Sequence, residues 1–404
     1  MIKKNLASIV LFTYNRLWHT QQMLEALQKN ELAEDSELFI FSDGGKDEES
    51  WGKVNEVRQY LKTISGFKNI TIIEQEKNLG LADSIISGVT DIIAKYGKVI
   101  VLEDDIVTSP YFLNFMNDAL NIYEEEKKVW HISGWNYPIS NENLNDTFLW
   151  RTMNCWGWAT WEDRWNNYEK NPAKLIETFT QQEISTFNLD GAINFWEQVI
   201  KNNNAQMNTW AIFWYATIFR NNGLCLNPTI SFVENIGFDG TGTNTGVRDN
   251  YSSKLFHQNY SINFESNLIE NKTATDRIKL FFRENNRENK NLSFARNLDR
   301  VINLFIKLKE SQSKYILYGA GTGMNLVLNF LEGKIDFIID RDIKKHNSNK
   351  NGLKIVSLPY FKEHDTQNKI IITVFGQASE ITNTLTDKYQ ISKDRIISLD
   401  IIDD

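Results

Sequence analysis

Short apolar runs alternate with helix-length amphipathic stretches over the first hundred residues. Ser8 to Phe12, Leu38 to Phe41, Ile70 to Glu74 and Lys98 to Leu102 have the length and apolar content of strands. The segments between them, 17–30, 48–63 and 80–94, read as helices. In the last of these, Leu81, Ile85, Ile86, Val89, Ile92 and Ile93 recur at spacings that make one apolar face. Each connection is long enough to cross over a sheet, so the pattern predicts a layered α/β domain with parallel strands.

A second α/β pattern starts near residue 313. Tyr315-Ile-Leu-Tyr318 precedes Gly319-Ala-Gly-Thr-Gly-Met324, a helix is expected as far as Glu332, and Ile335-Asp-Phe-Ile-Ile-Asp340 ends in an acid. A glycine-rich turn and an acidic strand end are the elements of a dinucleotide site. Met324, however, stands where a further glycine is expected, and the remaining chain is short for a full dinucleotide fold. A small Rossmann-like unit with a structural or partner-binding role is the expectation. Between the two patterns, Arg283-Glu-Asn-Asn-Arg-Glu-Asn-Lys-Asn291 reads as an exposed boundary. Phe294 to Lys309 reads as an amphipathic helix carrying Leu298, Val301, Ile302, Phe305 and Ile306. Packing between domains is the first use expected for that stripe; Arg296, Arg300, Lys307 and Lys309 would allow peripheral contact with an anionic membrane. The expected division is 1–250, 251–312 and 313–404.

Composition narrows the class. A chain of 404 residues that is 41% hydrophobic is too long for one small core. Its 44 Lys and Arg against 52 Asp and Glu give −8, which argues against a nucleic-acid partner. Cys155 and Cys225 are the two cysteines, so no disulfide scaffold or cysteine zinc cluster is expected, and a reducing, cytoplasmic compartment is favoured. Met1-Ile-Lys-Lys-Asn5 runs straight into the first strand without a signal-peptide pattern. No stretch approaches the roughly 18–20 apolar residues of a spanning helix.

Polar groups cluster where the predicted strands end, the edge at which open α/β sheets bind ligands. The clusters are Thr13-Tyr14-Asn15-Arg16, Ser42-Asp43-Gly44-Gly45, Asn78-Leu79-Gly80-Leu81 and Glu103-Asp104-Asp105. Three consecutive carboxylates repel one another, and a divalent cation shared with a substrate phosphate would relieve that repulsion. An acidic cap on the following segment is the equally weighted alternative. Asp105 is expected to meet the metal, Asp104 the sugar or ribose, and Glu103 to support them. Asp43 can accept hydrogen bonds from a base or ribose, and Asn78 and Gly80 suit a tight strand-to-helix passage near phosphate or ribose.

These four clusters, with Cys155-Trp-Gly-Trp-Ala-Thr-Trp161, resemble inverting glycosyltransferases of the GT-A fold, particularly bacterial family 2 enzymes that build surface polysaccharides. The resemblance spans roughly residues 7–247, and the acidic triplet and tryptophan region are also similar to eukaryotic N-acetylglucosaminyltransferases of the first type. It implies that Thr13, Tyr14, Asn15, Arg16, Asp43, Asn78, Gly80, Glu103, Asp104 and Asp105 bind a nucleotide-sugar donor, with UDP as the favoured carrier. It also implies a divalent cation, Mn or Mg, at Asp105. Asn235 to Asn244 is similar to the family's glycine-rich closing loop, with Asn244 standing where a metal-binding histidine is common, and Gly240 and Gly242 fit a loop ordering over phosphates.

Trp135, Trp156 and Trp158 are the expected acceptor platform, because indole rings pack on sugar faces while polar neighbours bind hydroxyls. His131 has no partner at metal-ligand spacing and is expected to be structural or acceptor-facing. Asn208-Thr-Trp210 stands where related bacterial sequences carry Asp-Ser-Trp, and an amide cannot collect a proton as a carboxylate does. Asp190 and Glu197 are the nearest replacements as base. The resulting expectation is an inverting transfer onto a glycan or lipid-linked glycan hydroxyl, in bacterial surface polysaccharide or lipopolysaccharide synthesis at the inner face of the cell membrane. Homo-oligomerisation stays open. A carbohydrate-binding or complex-forming protein on the same scaffold is the runner-up, and a pyrophosphate-releasing nucleotidyltransferase the third reading.

Overall fold

The computed structural model of the chain describes residues 6–239, 251, 255–257, 259–374 and 377–399, with the backbone alone for 286–302, 322 and 326. Two compact units form, Met1–Asn285 and Asn286–Asp404.

In the first unit, β1 (Ser8–Thr13), β2 (Glu37–Ser42), β3 (Asn69–Glu74) and β4 (Lys98–Glu103) alternate with α1 (Leu17–Gln28), α2 (Glu48–Leu61) and α3 (Leu81–Tyr96), as the periodicity predicts. The strands are parallel, in the order β3-β2-β1-β4. Every residue of β1 is buried, so the strand reads as a continuous apolar run rather than an alternating one. A capping box between Asp47 and Ser50 starts α2, and Gly97 in the left-handed region ends α3.

After β4 the chain makes β5 (Ile106–Thr108), α4 (Phe112–Ile122), β6 (Val129–Ser133), β7 (Thr147–Trp150) and β8 (Trp158–Trp161). Five helices follow: α5 (Glu162–Trp165), α6 (Pro172–Thr178), α7 (Gln181–Phe187), α8 (Trp196–Asn203) and α9 (Ala211–Arg220). The last strands of the unit are β9 (Leu224–Pro228) and β10 (Val233–Asn235). One mixed sheet results, β3-β2-β1-β4-β8-β6-β9-β7, in which β8 pairs antiparallel with β4 and β6. Two features position the site. Strand order reverses between β1 and β4, so the segments leaving these strands, Thr13–Arg16 and Glu103–Asp105, meet at a topological switch point. Strand β10 pairs with β5, Asn235 opposite Ile106, which brings the loop after β10 onto Asp105: the Ile236 amide donates to the Asp105 carbonyl at 2.9 Å.

The polar run 283–291, expected as an exposed boundary, contains the division between the two units at 285/286, and its backbone is helical, part of α10 (Lys272–Glu310). Glu, Arg and Lys are good helix formers, and neither glycine nor proline interrupts the 39 residues. In the second unit, β11 (Tyr315–Tyr318), α11 (Thr322–Phe330), β12 (Ile335–Ile339), β13 (Asn349–Lys350), β14 (Leu353–Val356), α12 (Leu358–Glu363), β15 (Lys369–Ile372), α13 (Ala378–Asn383) and β16 (Ile396–Ser398) build a sheet ordered β13-β14-β12-β11-β15-β16. All its pairs are parallel except β13 with β14. Phe305 and Leu308 of α10 are buried in the core of this unit, while Ile306, Lys307 and Lys309 are exposed. The α/β class expected for both units is the one observed.

Candidate functional site

Asp43 organises one side of the switch point. Its Oδ1 accepts from the amides of Gly44 (2.9 Å) and Leu79 (2.8 Å), and its Oδ2 from the Gly80 amide (2.9 Å) and Asn78 Nδ2 (3.1 Å). Asn78 Nδ2 also donates to the Gly44 carbonyl at 2.8 Å. Gly44 is required here, since a Cβ would come within 2.5 Å of the Lys77 backbone. The expectation that Asp43 accepts from a base or ribose meets a carboxylate whose lone-pair positions are taken by four donors of the chain itself. These residues instead clamp the turn after β2 to the turn before α3. Arg58, which sequence reading passed over, does the same from beneath, donating to the carbonyls of Ser42, Asp43 and Gln75. Its signal was an arginine on the otherwise apolar stripe Val54, Val57 and Leu61.

On the other side, Arg16 Nη2 donates to Asp104 Oδ1 and, at 2.7 Å, to Asp105 Oδ2. The Tyr14 amide also donates to Asp104, and Lys46 lies 5.9 Å from the Tyr14 ring. Burial raises the proton affinity of Asp104, against the pull of Arg16. Burial, then Asp105 and Asp104, raise that of Glu103. For Arg16, burial opposes the charge and the two aspartates outweigh it, so the guanidinium stays charged. Gly237 closes over the pair, because a Cβ there would collide with Asp105 Oδ2. Two residues on, Asp239 pairs with the buried His19 of α1 at 3.1 Å. That contact is long-range and had no sequence signal. Asn15 is half-buried on the β1–α1 turn. Asn244, Gly240 and Gly242 lie outside the described residues.

The acidic pair suits a hard cation, since it supplies only carboxylate oxygens. Among the described residues no group of three His, Cys, Asp or Glu could hold a metal. A cation here would therefore complete its shell with substrate oxygens and water, the usual habit of Mg at phosphate sites. Buried polar atoms also lie at this edge without partners among the described residues: Thr13 Oγ1, Arg16 Nη1 and, in the first turn of α3, Ser84 Oγ. Such atoms are rare in interiors and call for a ligand or ordered water.

The aromatic expectations divide. Trp158 is 0% exposed, its ring 5.4 Å from His131 and 5.1 Å from Trp210, so it is core and not an acceptor platform. Trp135 is likewise buried, although its Nε1 has no partner among the described residues. Trp156 alone of the three is half-buried, 4.4 Å from Trp135 and 5.4 Å from Phe238 of the loop over Asp105. Trp18, three-fifths exposed and two residues after Arg16, was missed; β-strand and helix periodicity say nothing of which indole stays wet. Cys155 lies near the triplet, and burial first, then Glu103, pushes its thiol up, which leaves it inert.

The base candidates are not joined to the triplet by any described contact. Asp190 is bound by Lys279 at 2.6 Å, which lowers its proton affinity, the wrong direction for a base. Glu197 is exposed on α8 and pairs with Lys201 one turn away. Asn208 Oδ1 accepts from Lys170.

His131 is structural. Trp214 Nε1 donates to its Nδ1 at 3.2 Å, and its Nε2 donates to the Asn154 carbonyl at 2.9 Å, which specifies the neutral imidazole. Burial pushes its pKa down to about 3. The stability this gives is present above the unfolded value near 6.5 and is lost as pH falls. Between pH 7 and 5 the loss is about 2 kcal/mol. Urea unfolding should therefore show wild type losing about 2 kcal/mol more over that interval than His131→Gln; equal losses would remove His131 as the acid-sensitive group.

In the second unit the glycine turn consumes its own acid. Asp340 accepts from the Ala320 amide and the Asp342 amide, both at 2.8 Å, and pairs with Lys345 at 3.1 Å. Met324 is fully buried in the core.

No curated protein matches the chain in sequence. Among solved structures, the mannosyltransferase PcManGT from Pyrobaculum calidifontis, in complex with GDP-Man and Mn2+, is 11% identical, with a TM-score of 0.31 over 54% of this chain and 68% of that one. S. aureus TarS is 16% identical, with a TM-score of 0.24 over 34% of this chain and 22% of its own. Residues 2–175, which carry the switch point, the acidic triplet and the Cys155–Trp161 segment, match the model of the GNT-I family of glycosyltransferases.

Proposed function

We propose that the first unit transfers a sugar, with inversion, from a nucleotide diphosphate donor to a glycan hydroxyl. The buried Arg16–Asp104–Asp105 cluster at the switch point carries this reading, and the family match over residues 2–175 supports it. Asp105, with Asp104 beside it, would hold Mn or Mg, which when bound supplies positive charge to the departing diphosphate. Arg16 Nη1 is available to an anionic oxygen of the donor. Asp43 holds the Asn78–Gly80 turn, so that the amides at the start of α3 keep their positions under a ligand. Trp156 and the exposed Trp18 are the indoles we assign to the acceptor. The donor we assign is a UDP-sugar and the acceptor a lipid-linked glycan of a bacterial surface polysaccharide or lipopolysaccharide, assembled in the cytoplasm. Among the described residues no helix is long and apolar enough to cross a membrane. The test is a panel of UDP- and GDP-sugars with lipid-linked and free glycans, the anomeric configuration of the product being read by NMR. Retention of configuration would contradict the stereochemistry, and use of protein acceptors alone would contradict the biological role.

One observation favours a second reading, a glycan-binding protein on this scaffold: Asn208, an amide held by Lys170, stands where the resemblance expects a carboxylate. Saturable glycan binding without turnover over the whole panel would support it.

For the second unit we propose a structural or contact role. Asp340 is engaged by its own turn and Met324 fills the core, so calorimetry on the full chain is expected to detect no NAD or NADP binding at about 100 μM, a concentration inside the usual range of KM values. Saturable binding lost in Gly321→Val would overturn this.

A further inference from the structure

The cluster at the switch point already holds a cation of its own. One nitrogen of Arg16, Nη2, donates to both Asp104 and Asp105, and the side chain is largely buried with them. Two adjacent buried carboxylates need a countercharge, and Arg16 is the one the described residues provide. A divalent cation taking Asp105 Oδ2 would sit within a few ångströms of that guanidinium, where like charges repel strongly in a partly dry site. The cation and the arginine are therefore competitors for the same oxygen. Alone, the cation is poorly placed to win, because no third described side chain completes its shell. A nucleoside diphosphate changes both sides of the competition. It brings oxygen ligands to the cation, and it offers the displaced guanidinium an anion that suits its fork of donors. Arg16 Nη1, buried and without a partner among the described residues, has a donor to spare for it.

We infer that Arg16 is the resident counter-cation of Asp104 and Asp105, that it and the divalent metal occupy the pair in alternation, and that the nucleoside diphosphate drives the exchange. Metal and nucleotide then bind with positive coupling through Arg16. The inference rests on Asp105 being a metal position.

The test measures Mn2+ binding to the full chain by electron paramagnetic resonance of the free ion, with and without UDP, correcting for Mn–UDP in solution. Wild type is expected to bind Mn2+ weakly alone and at least tenfold more tightly with UDP. Arg16→Met and Arg16→Gln both remove the charge, and Gln retains an N–H for Asp104. Each should bind Mn2+ alone about tenfold more tightly than wild type, with the enhancement by UDP reduced by a similar factor. Arg16→Lys, still charged, should stay near wild type for Mn2+ alone. If wild type takes UDP-dependent Mn2+ that Asp105→Asn loses, but neither neutral variant binds Mn2+ alone more tightly, the exchange is overturned and the metal position stands. If no Mn2+ binds under any condition, the metal position and the exchange fall together.

Discussion

Asp105→Asn is expected to lower metal-dependent sugar transfer about 10³-fold, roughly 4 kcal/mol of barrier. Asp105 is the carboxylate that both the Arg16 guanidinium and the loop at Gly237 enclose. An amide there still accepts a hydrogen bond but carries no charge to hold a cation against a departing diphosphate. The fold should survive, because Asp104 retains Arg16 and one source of buried like-charge repulsion is gone. Asp190→Asn and Glu197→Gln, made in parallel, should stay within about threefold of wild type, since surface charges paired with lysine carry little. Turnover is followed as nucleoside diphosphate released with saturating Mn2+. Normal turnover with unchanged Mn2+ dependence in Asp105→Asn would remove the metal from this position.

Asp43→Asn should cost the first unit about 2–4 kcal/mol of stability. The carboxylate accepts four hydrogen bonds, three of them from backbone amides that have no other described acceptor. An amide side chain supplies one oxygen and turns its own N–H groups towards donors. The two part-buried donors on Oδ2, Asn78 Nδ2 and the Gly80 amide, are then left unpaired, each with a penalty of about 1–2 kcal/mol, the lower part of the range for such groups. All twelve tryptophans lie between Trp18 and Trp214, inside the first unit, so indole fluorescence during urea unfolding reports that unit without contribution from the second. A change below about 0.5 kcal/mol, the scale of an ordinary surface substitution, would mean that Asp43 is a ligand contact and not the clamp described here.

These two residues mark the boundary of what was legible in the sequence. The strands β1 to β4 and helices α1 to α3 could be read because their signal is local, in β-branched runs and the apolar face of α3. The convergence of Thr13–Arg16 with Glu103–Asp105 followed from strand ends alone, since parallel strands joined by crossovers must place them on one edge. What each side chain does with its charge was not local. Asp43 is satisfied by Asn78 and Gly80, 35 and 37 residues away, and Asp190 is neutralised by Lys279 at a separation of 89. Burial misled in the same way. Trp135, Trp156 and Trp158 look alike in a motif, yet packing of Trp158 between His131 and Trp210 leaves it no face for a sugar. In α10 the part from Phe294 to Lys309 was legible from its apolar stripe, while the helical continuation back through the polar run 283–291 was not: that run carries no apolar periodicity, although its Glu, Arg and Lys favour helix when nothing breaks it.

The most direct measurement is the small product released when purified chain, a UDP-sugar, a glycan acceptor and Mn2+ are combined. Mass analysis should find nucleoside diphosphate in a one-to-one ratio with a new glycosidic product, both abolished by chelation of the metal and by Asp105→Asn. Pyrophosphate in its place, or nucleoside diphosphate that appears equally with and without Mn2+, would contradict sugar transfer at the Arg16–Asp104–Asp105 cluster.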